Sequence, residues 1–137
     1  MKEDITLSEL PQLKNVFDTV LICRELFNKD TFLWKEEVIM LCLNANRQII
    51  GYHKVSTGGM ASSIVDVRTI FTVALQALAA AIIITHNHPS GSTKPSVQDI
   101  EVTAQIKKAG ELLNIPLLDH LIITQDGFFS FKNSNML

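Results

Sequence analysis

The stretch Ala81-Ile82-Ile83-Ile84-Thr85-His86-Asn87-His88-Pro89 constrains this chain more than any other. Three consecutive isoleucines are β-branched and favour extended backbone. A short, continuously apolar run of this kind reads as a central strand buried on both faces. The polar loop beyond it holds two prolines and a glycine between His88 and Ser96, and Ser96 then opens a helix that runs to about Asn114. A buried strand feeding a helix through such a loop implies a layered α/β domain, with helices covering a sheet.

The remaining segments fit that frame. Residues 5–10 read as a short strand, and residues 17–28 as a helix with Phe17, Val20, Leu21, Leu26 and Phe27 spaced three to four apart. Val38 to Leu43 is a second buried strand, and residues 44–48 form a hairpin loop into a returning strand, Ile49 to Thr57, broken by Gly58-Gly59. Asp66 is placed to cap a helix carrying Ile70, Val73, Ala74 and Ala77, which must stop near Ala79 or Ala80. Leu117 to Thr124 is another strand, and Asp126-Gly127 turns the chain into a last one, Phe128 to Phe131. The expected class is α/β, with a mixed sheet flanked by helices.

A chain of 137 residues with 47% hydrophobic side chains fits one domain and can supply its core. Lys and Arg number 12 against 14 Asp and Glu, and neither sign gathers in one half. Strong direct binding to nucleic acid is therefore not expected. Cys23 and Cys42 sit in apolar surroundings and read as small buried hydrophobes rather than a disulfide framework. The N-terminus lacks a signal peptide's pattern, and the longest apolar stretch, Val73 to Ile84, falls well short of the ~20 residues of a membrane span. A cytoplasmic protein is expected.

The chemistry concentrates in Thr85 to Asp99. In extended chain, residues two apart project from one side about 6.5–7 Å along the backbone, so His86 and His88 can converge on one ion. The loop is long enough to fold Asp99, in the first helical turn, back over the strand end. Two imidazoles and one carboxylate leave a fourth position for water, the layout of a catalytic zinc site. Such a water needs a proton acceptor that is not a ligand. Glu36 and Glu37 are candidates if the strand they precede lies beside the histidine strand. The Ser96 hydroxyl could donate to a developing oxyanion.

The string His-x-His-Pro, six residues, Ser, two residues, Asp matches the JAMM (MPN+) metalloprotease motif at His86, His88, Pro89, Ser96 and Asp99. HNHPSG (86–91), KPSVQD (94–99), LLDHLIIT (117–124) and EEVIMLCLNANRQII (36–50) resemble the RadC family of bacterial JAMM-domain proteins. The resemblance covers about residues 35–131 and implies a JAMM/MPN (cytidine-deaminase-like) fold over residues 35–137, with residues 1–34 as an N-terminal strand and helix packed on it. It implies one zinc ion held by His86, His88 and Asp99, with Ser96 supporting the oxyanion. An upstream glutamate serves as general acid/base; the family pattern favours Glu36 over Glu37. The implied reaction is hydrolysis of a peptide or an isopeptide-linked protein, with no membrane partner and self-association possible. Longer RadC proteins carry an N-terminal helix-hairpin-helix element, for which this sequence has no room. The family name also implies a link to DNA repair, which leaves a non-catalytic accessory module as the second reading.

Structural readings compete at several positions. Ser96-x-x-Asp99 is also a helix-capping signature, compatible with a site role. Asp119-His120 reads first as a satisfied pair at a strand start; the alternative is support for a metal-bound histidine from behind. His53 is expected on a polar strand face, Phe128, Phe129 and Phe131 in packing, and Lys107-Lys108 on the solvated side of a helix. The tripeptide His86-Asn87-His88 does not constitute an HNH nuclease motif, whose positions are dispersed, and the Pro-Cys-x-x-Cys pair of zinc deaminases is absent.

Overall fold

The computed structural model describes residues 10–56 and 65–137. The elements run α1 (Val16–Leu26), β1 (Val38–Leu43), β2 (Ile49–Ser56), α2 (Val67–Gln76), β3 (Ala81–Asn87), α3 (Val97–Leu113), β4 (Leu117–Ile123) and β5 (Phe128–Ser130). The strands form one five-stranded sheet in the order β2-β1-β3-β4-β5. β3 pairs antiparallel with β1 and parallel with β4, so the sheet is mixed as expected. The strand expected over 5–10 and the Gly58-Gly59 break fall on residues outside those described, apart from Leu10, which lies in a bend.

Side chains alternate across β1 and β3, and both faces are covered. On one face Met40, Cys42, Ile82 and Ile84 pack with Ile70, Phe71 and Ala74 of α2 and Ile106 of α3. On the other, Ile39, Leu41, Leu43 and Ile83 pack with Val20 and Cys23 of α1 and with Phe27. This burial explains why β1 reads as an unbroken apolar run rather than an alternating one. Both cysteines are buried, and burial pushes the Cys23 thiol up to about 12.

Local chemistry sets the element ends. Asn15, Asp66 and Ser96 each accept a backbone N–H at the first turn of α1, α2 and α3. α2 ends earlier than the sequence implies, because Leu78 turns left-handed (φ 55°) to feed β3. Asn114 ends α3 in the same conformation. Gly110 is required where α3 meets the following turn, since a Cβ there would run into the Ile115 carbonyl oxygen. The expected core face of α1 is corrected: Phe17 and Leu21 face outward, and the buried residues of the helix are Thr19, Val20 and Cys23. Phe17 instead meets the edge of Phe128 with centroids 5.8 Å apart. β3 runs to Asn87, and ladder partners Val38 and Ile122 hold His86 in the sheet.

Candidate metal centre

His86 is the last-but-one residue of β3 and 2% exposed, on the side of the sheet covered by α2 and α3. The chain then leaves the sheet. The His88 amide still donates to the Ile123 carbonyl, and the Gly91 amide returns to the His88 carbonyl at 3.0 Å. That turn needs glycine at position 91, where φ is +90°. The loop carries Ser92 round so that its carbonyl meets His88 Nδ1 at 2.9 Å. A carbonyl can only accept, so Nδ1 carries the ring proton and, in the neutral ring, Nε2 is a bare lone pair.

α3 brings the carboxylate. Ser96 and Asp99 form a reciprocal capping box: the Asp99 amide donates to Ser96 Oγ at 3.0 Å and the Ser96 amide to Asp99 Oδ2 at 2.8 Å. The box aims Asp99 at both imidazoles. Oδ1 lies 3.3 Å from His86 Nε2 and Oδ2 lies 3.3 Å from His88 Nε2. The two Nε2 atoms are 3.0 Å apart. Tetrahedral zinc with bonds of about 2.0–2.1 Å would space its ligand atoms by about 3.3–3.4 Å. The donor spacings fit such an ion closely. Chemistry points the same way, because a bare imidazole nitrogen facing a carboxylate and a second imidazole nitrogen calls for a cation between them. A proton can fill that role: the hydrogen bond to Asp99 raises the His88 pKa against the effect of burial. Burial pushes the Asp99 carboxyl up, but the His86 and His88 imidazoles facing it outweigh that and hold its pKa well below the usual carboxylate range.

The two glutamates separate cleanly. Glu36 Oε2 lies 3.8 Å from His86 Nε2, and Glu36 joins His86, His88 and Asp99 in a group whose donor atoms all lie within 4.8 Å of one another. That group could hold a metal ion. Glu37 turns away: it is buried, accepts from the Asn28 amide at 3.1 Å and meets Lys54 Nζ at 3.5 Å. The proximity that sequence left open comes from the β1–β3 ladder, where Val38 pairs with His86. Glu36, His86, His88, Ser96 and Asp99 all line one cavity of about 430 Å³, whose apolar wall includes Val38, Ile84 and Ile106. Ser96 Oγ accepts from Asp99, which leaves its own proton free to donate into that cavity.

Two supporting residues, Asn87 and Thr103, carry no signal in the sequence, and a third, His120, takes the role that was the alternative reading there. Asn87, 1% exposed, accepts from the Glu37 amide at 2.7 Å and donates to the carbonyls of Lys35 and Phe32 at 2.9 and 2.8 Å. It therefore grips the backbone on both sides of Glu36. His120 turns its Nε2 to His86 Nδ1 at 2.8 Å and its Nδ1 to Thr103 Oγ1 at 2.5 Å. Burial pushes the His120 pKa well below 6.5 and holds the ring neutral. The expected Asp119-His120 pair divides. Asp119 is satisfied structurally by Ser130 Oγ, the Lys132 amide and the His120 amide, while the His120 ring backs His86. Burial raises the Asp119 pKa, opposed by these hydrogen bonds. His53 is exposed on β2, as expected of a polar strand face.

A small α/β domain with a five-stranded mixed sheet and a Glu-His-His-Asp cluster at one strand end is consistent with a JAB/MPN domain. The family model of the RadC-like JAB domain matches residues 13–136, and the chain belongs to that family. It is similar to a "UPF0758 protein" of Porphyromonas gingivalis, 41% identical over 134 residues, covering 97% of this chain and 59% of the relative. A "UPF0758 protein" of Flavobacterium johnsoniae is 46% identical over 101 residues, covering 74% and 44%. One from Thermotoga maritima is 33% identical over 129 residues, covering 94% and 58%. The chain thus spans about half the length of these relatives. Among the described residues no helix is long and apolar enough to cross a membrane.

Proposed function

We propose that this chain is a zinc-dependent hydrolase of the JAMM type, cleaving an amide or isopeptide bond in a peptide or isopeptide-linked protein. The observation that carries this reading is the convergence of His86, His88 and Asp99 at ligand spacing, with Glu36 beside them but further off. Zinc bound to the three ligands would polarise the scissile carbonyl and lower the pKa of a bound water to about 7. Glu36 takes a proton from the attacking water and returns it to the departing amine, the role its offset position suits. Ser96 donates its free hydroxyl proton to the developing oxyanion, held in place by the capping box.

The test compares zinc-loaded wild type with Glu36→Gln on peptide and isopeptide substrates. Glu36→Gln should keep zinc and lose turnover by about 10²–10⁴-fold, the usual contribution of a general acid/base. Wild-type protein that holds zinc yet cleaves nothing across such substrates would favour the accessory reading.

A further inference from the structure

The hydrogen bonds behind His86 have a direction that can be worked out from one end. Thr103 stands one helical turn beyond Asp99 on α3, and its Oγ1 lies 2.6 Å from the Asp99 carbonyl oxygen. That oxygen can only accept, so the Thr103 hydroxyl proton is committed to it. Toward His120, Thr103 Oγ1 can then only accept, and His120 Nδ1 must carry a proton. A neutral imidazole has one such proton, so His120 Nε2 is an acceptor. His86 Nδ1, facing it, must be the donor.

We infer that Thr103 and His120 are positioning residues that fix His86 in the Nδ1–H tautomer and thereby present a bare Nε2 to the metal. The arrangement spans β3, β4 and α3. Phe131 stacks on the His120 ring with centroids 4.7 Å apart and planes within 10°, which leaves the ring little freedom to rotate. All three hydrogen-bonding side chains are 2% exposed, so water does not compete. The chain also ties the two ligand-bearing elements together, because it starts at the backbone of Asp99 and ends at the ring of His86. A ligand imidazole whose second nitrogen is held by a fixed acceptor binds metal more tightly than a free one. Histidine, rather than the commoner carboxylate or carbonyl, plays the acceptor here.

This inference rests on the metal-site reading above, and the experiment separates the two. In metal-free wild type at mildly alkaline pH, long-range nitrogen–proton NMR reads the His86 tautomer directly. The expected signature is a protonated Nδ1 and a pyridine-like Nε2; a pyridine-like Nδ1 would overturn the inference whether or not metal binds. Zinc affinity, measured by competition with a chelating dye, should fall about 10–100-fold in Thr103→Val, the usual cost of losing an outer hydrogen bond to a ligand. Thr103→Ser, which keeps the hydroxyl, should restore it. His120→Phe keeps the stack on Phe131 and should show a loss at least as large. Unchanged zinc affinity in folded Thr103→Val would refute the positioning role; absence of zinc binding in wild type would refute the proposed function instead.

Discussion

Successive side chains of β3 leave the sheet on opposite sides, and the two sides serve the centre differently. Ile82, Ile84 and His86 face α2 and α3, where the cavity opens. Ile83 and Asn87 face the α1 side, where Phe32 joins the second core. At the strand end one side becomes a ligand and the other an anchor for the loop that bears Glu36. Two-residue periodicity thus builds a donor set and its support from three consecutive positions, 86 to 88. The lesson is that the ligand side is tuned for chemistry and the anchor side for order, and substitutions should respect that division.

The largest effect is expected on the ligand side. His88→Ala should lower zinc affinity by more than about 100-fold, beyond the ~10–100-fold range of outer hydrogen bonds, and abolish turnover while the fold survives. Metal analysis with circular dichroism checks both. Ser96→Gly should cost only a few tenths of a kcal/mol as a helix cap. Its turnover should nevertheless fall by about 10²-fold if the hydroxyl supports the oxyanion; unchanged turnover would confine Ser96 to capping. On the anchor side, Asn87→Ala leaves a buried amide and two carbonyls without their partner. It should cost about 1–3 kcal/mol in denaturant unfolding, with zinc stoichiometry retained. Loss of zinc in a folded Asn87→Ala protein would break the division between the two sides.

The smallest effect is a pH dependence confined to the ligand side. The pKa of His88 is raised above 6.5 by Asp99, so its stabilising contribution to the metal-free fold is complete below 6.5 and fades as pH rises through the raised value. The Asp99 pKa is depressed below 3.8, so its contribution is present above 3.8 and fades as pH falls through the depressed value. Between these limits a proton occupies the place a metal would take. Zinc affinity should therefore rise with pH, by about tenfold per unit below the His88 pKa, until that proton is gone. Titration calorimetry over a pH series checks the slope, which His88→Ala should flatten.

Much of this architecture was legible in the order of residues. The continuous apolar runs at 38–43 and 81–84 marked strands covered on both sides, while Asp66, Ser96 and the Gly127 turn marked the starts of α2, α3 and β5. His86, His88 and Asp99 could be grouped because strand period, loop length and a helix start all act over short stretches of chain. What stayed hidden depends on contacts between distant segments. Glu36 and Glu37 are adjacent; the family resemblance favoured Glu36, but the physical reason, the pairing of Val38 with His86 that brings Glu36 to the cavity, is a contact between distant segments. Asn87 shows no role in the sequence, because its partners lie 50 to 55 positions away. His120 and Thr103 meet His86 only once β4 and α3 pack against β3. On α1 the apolar spacing itself misled, because Phe17 and Leu21 are exposed while Thr19 and Cys23 are buried.

The most direct test of the account is X-ray absorption on zinc-loaded protein, paired with metal stoichiometry. One zinc per chain, bound by two imidazoles and otherwise by oxygen at about 2.0–2.2 Å, is the predicted result. Sulfur scattering from Cys23 or Cys42, a single imidazole, or well under one zinc per chain at saturating metal would contradict it.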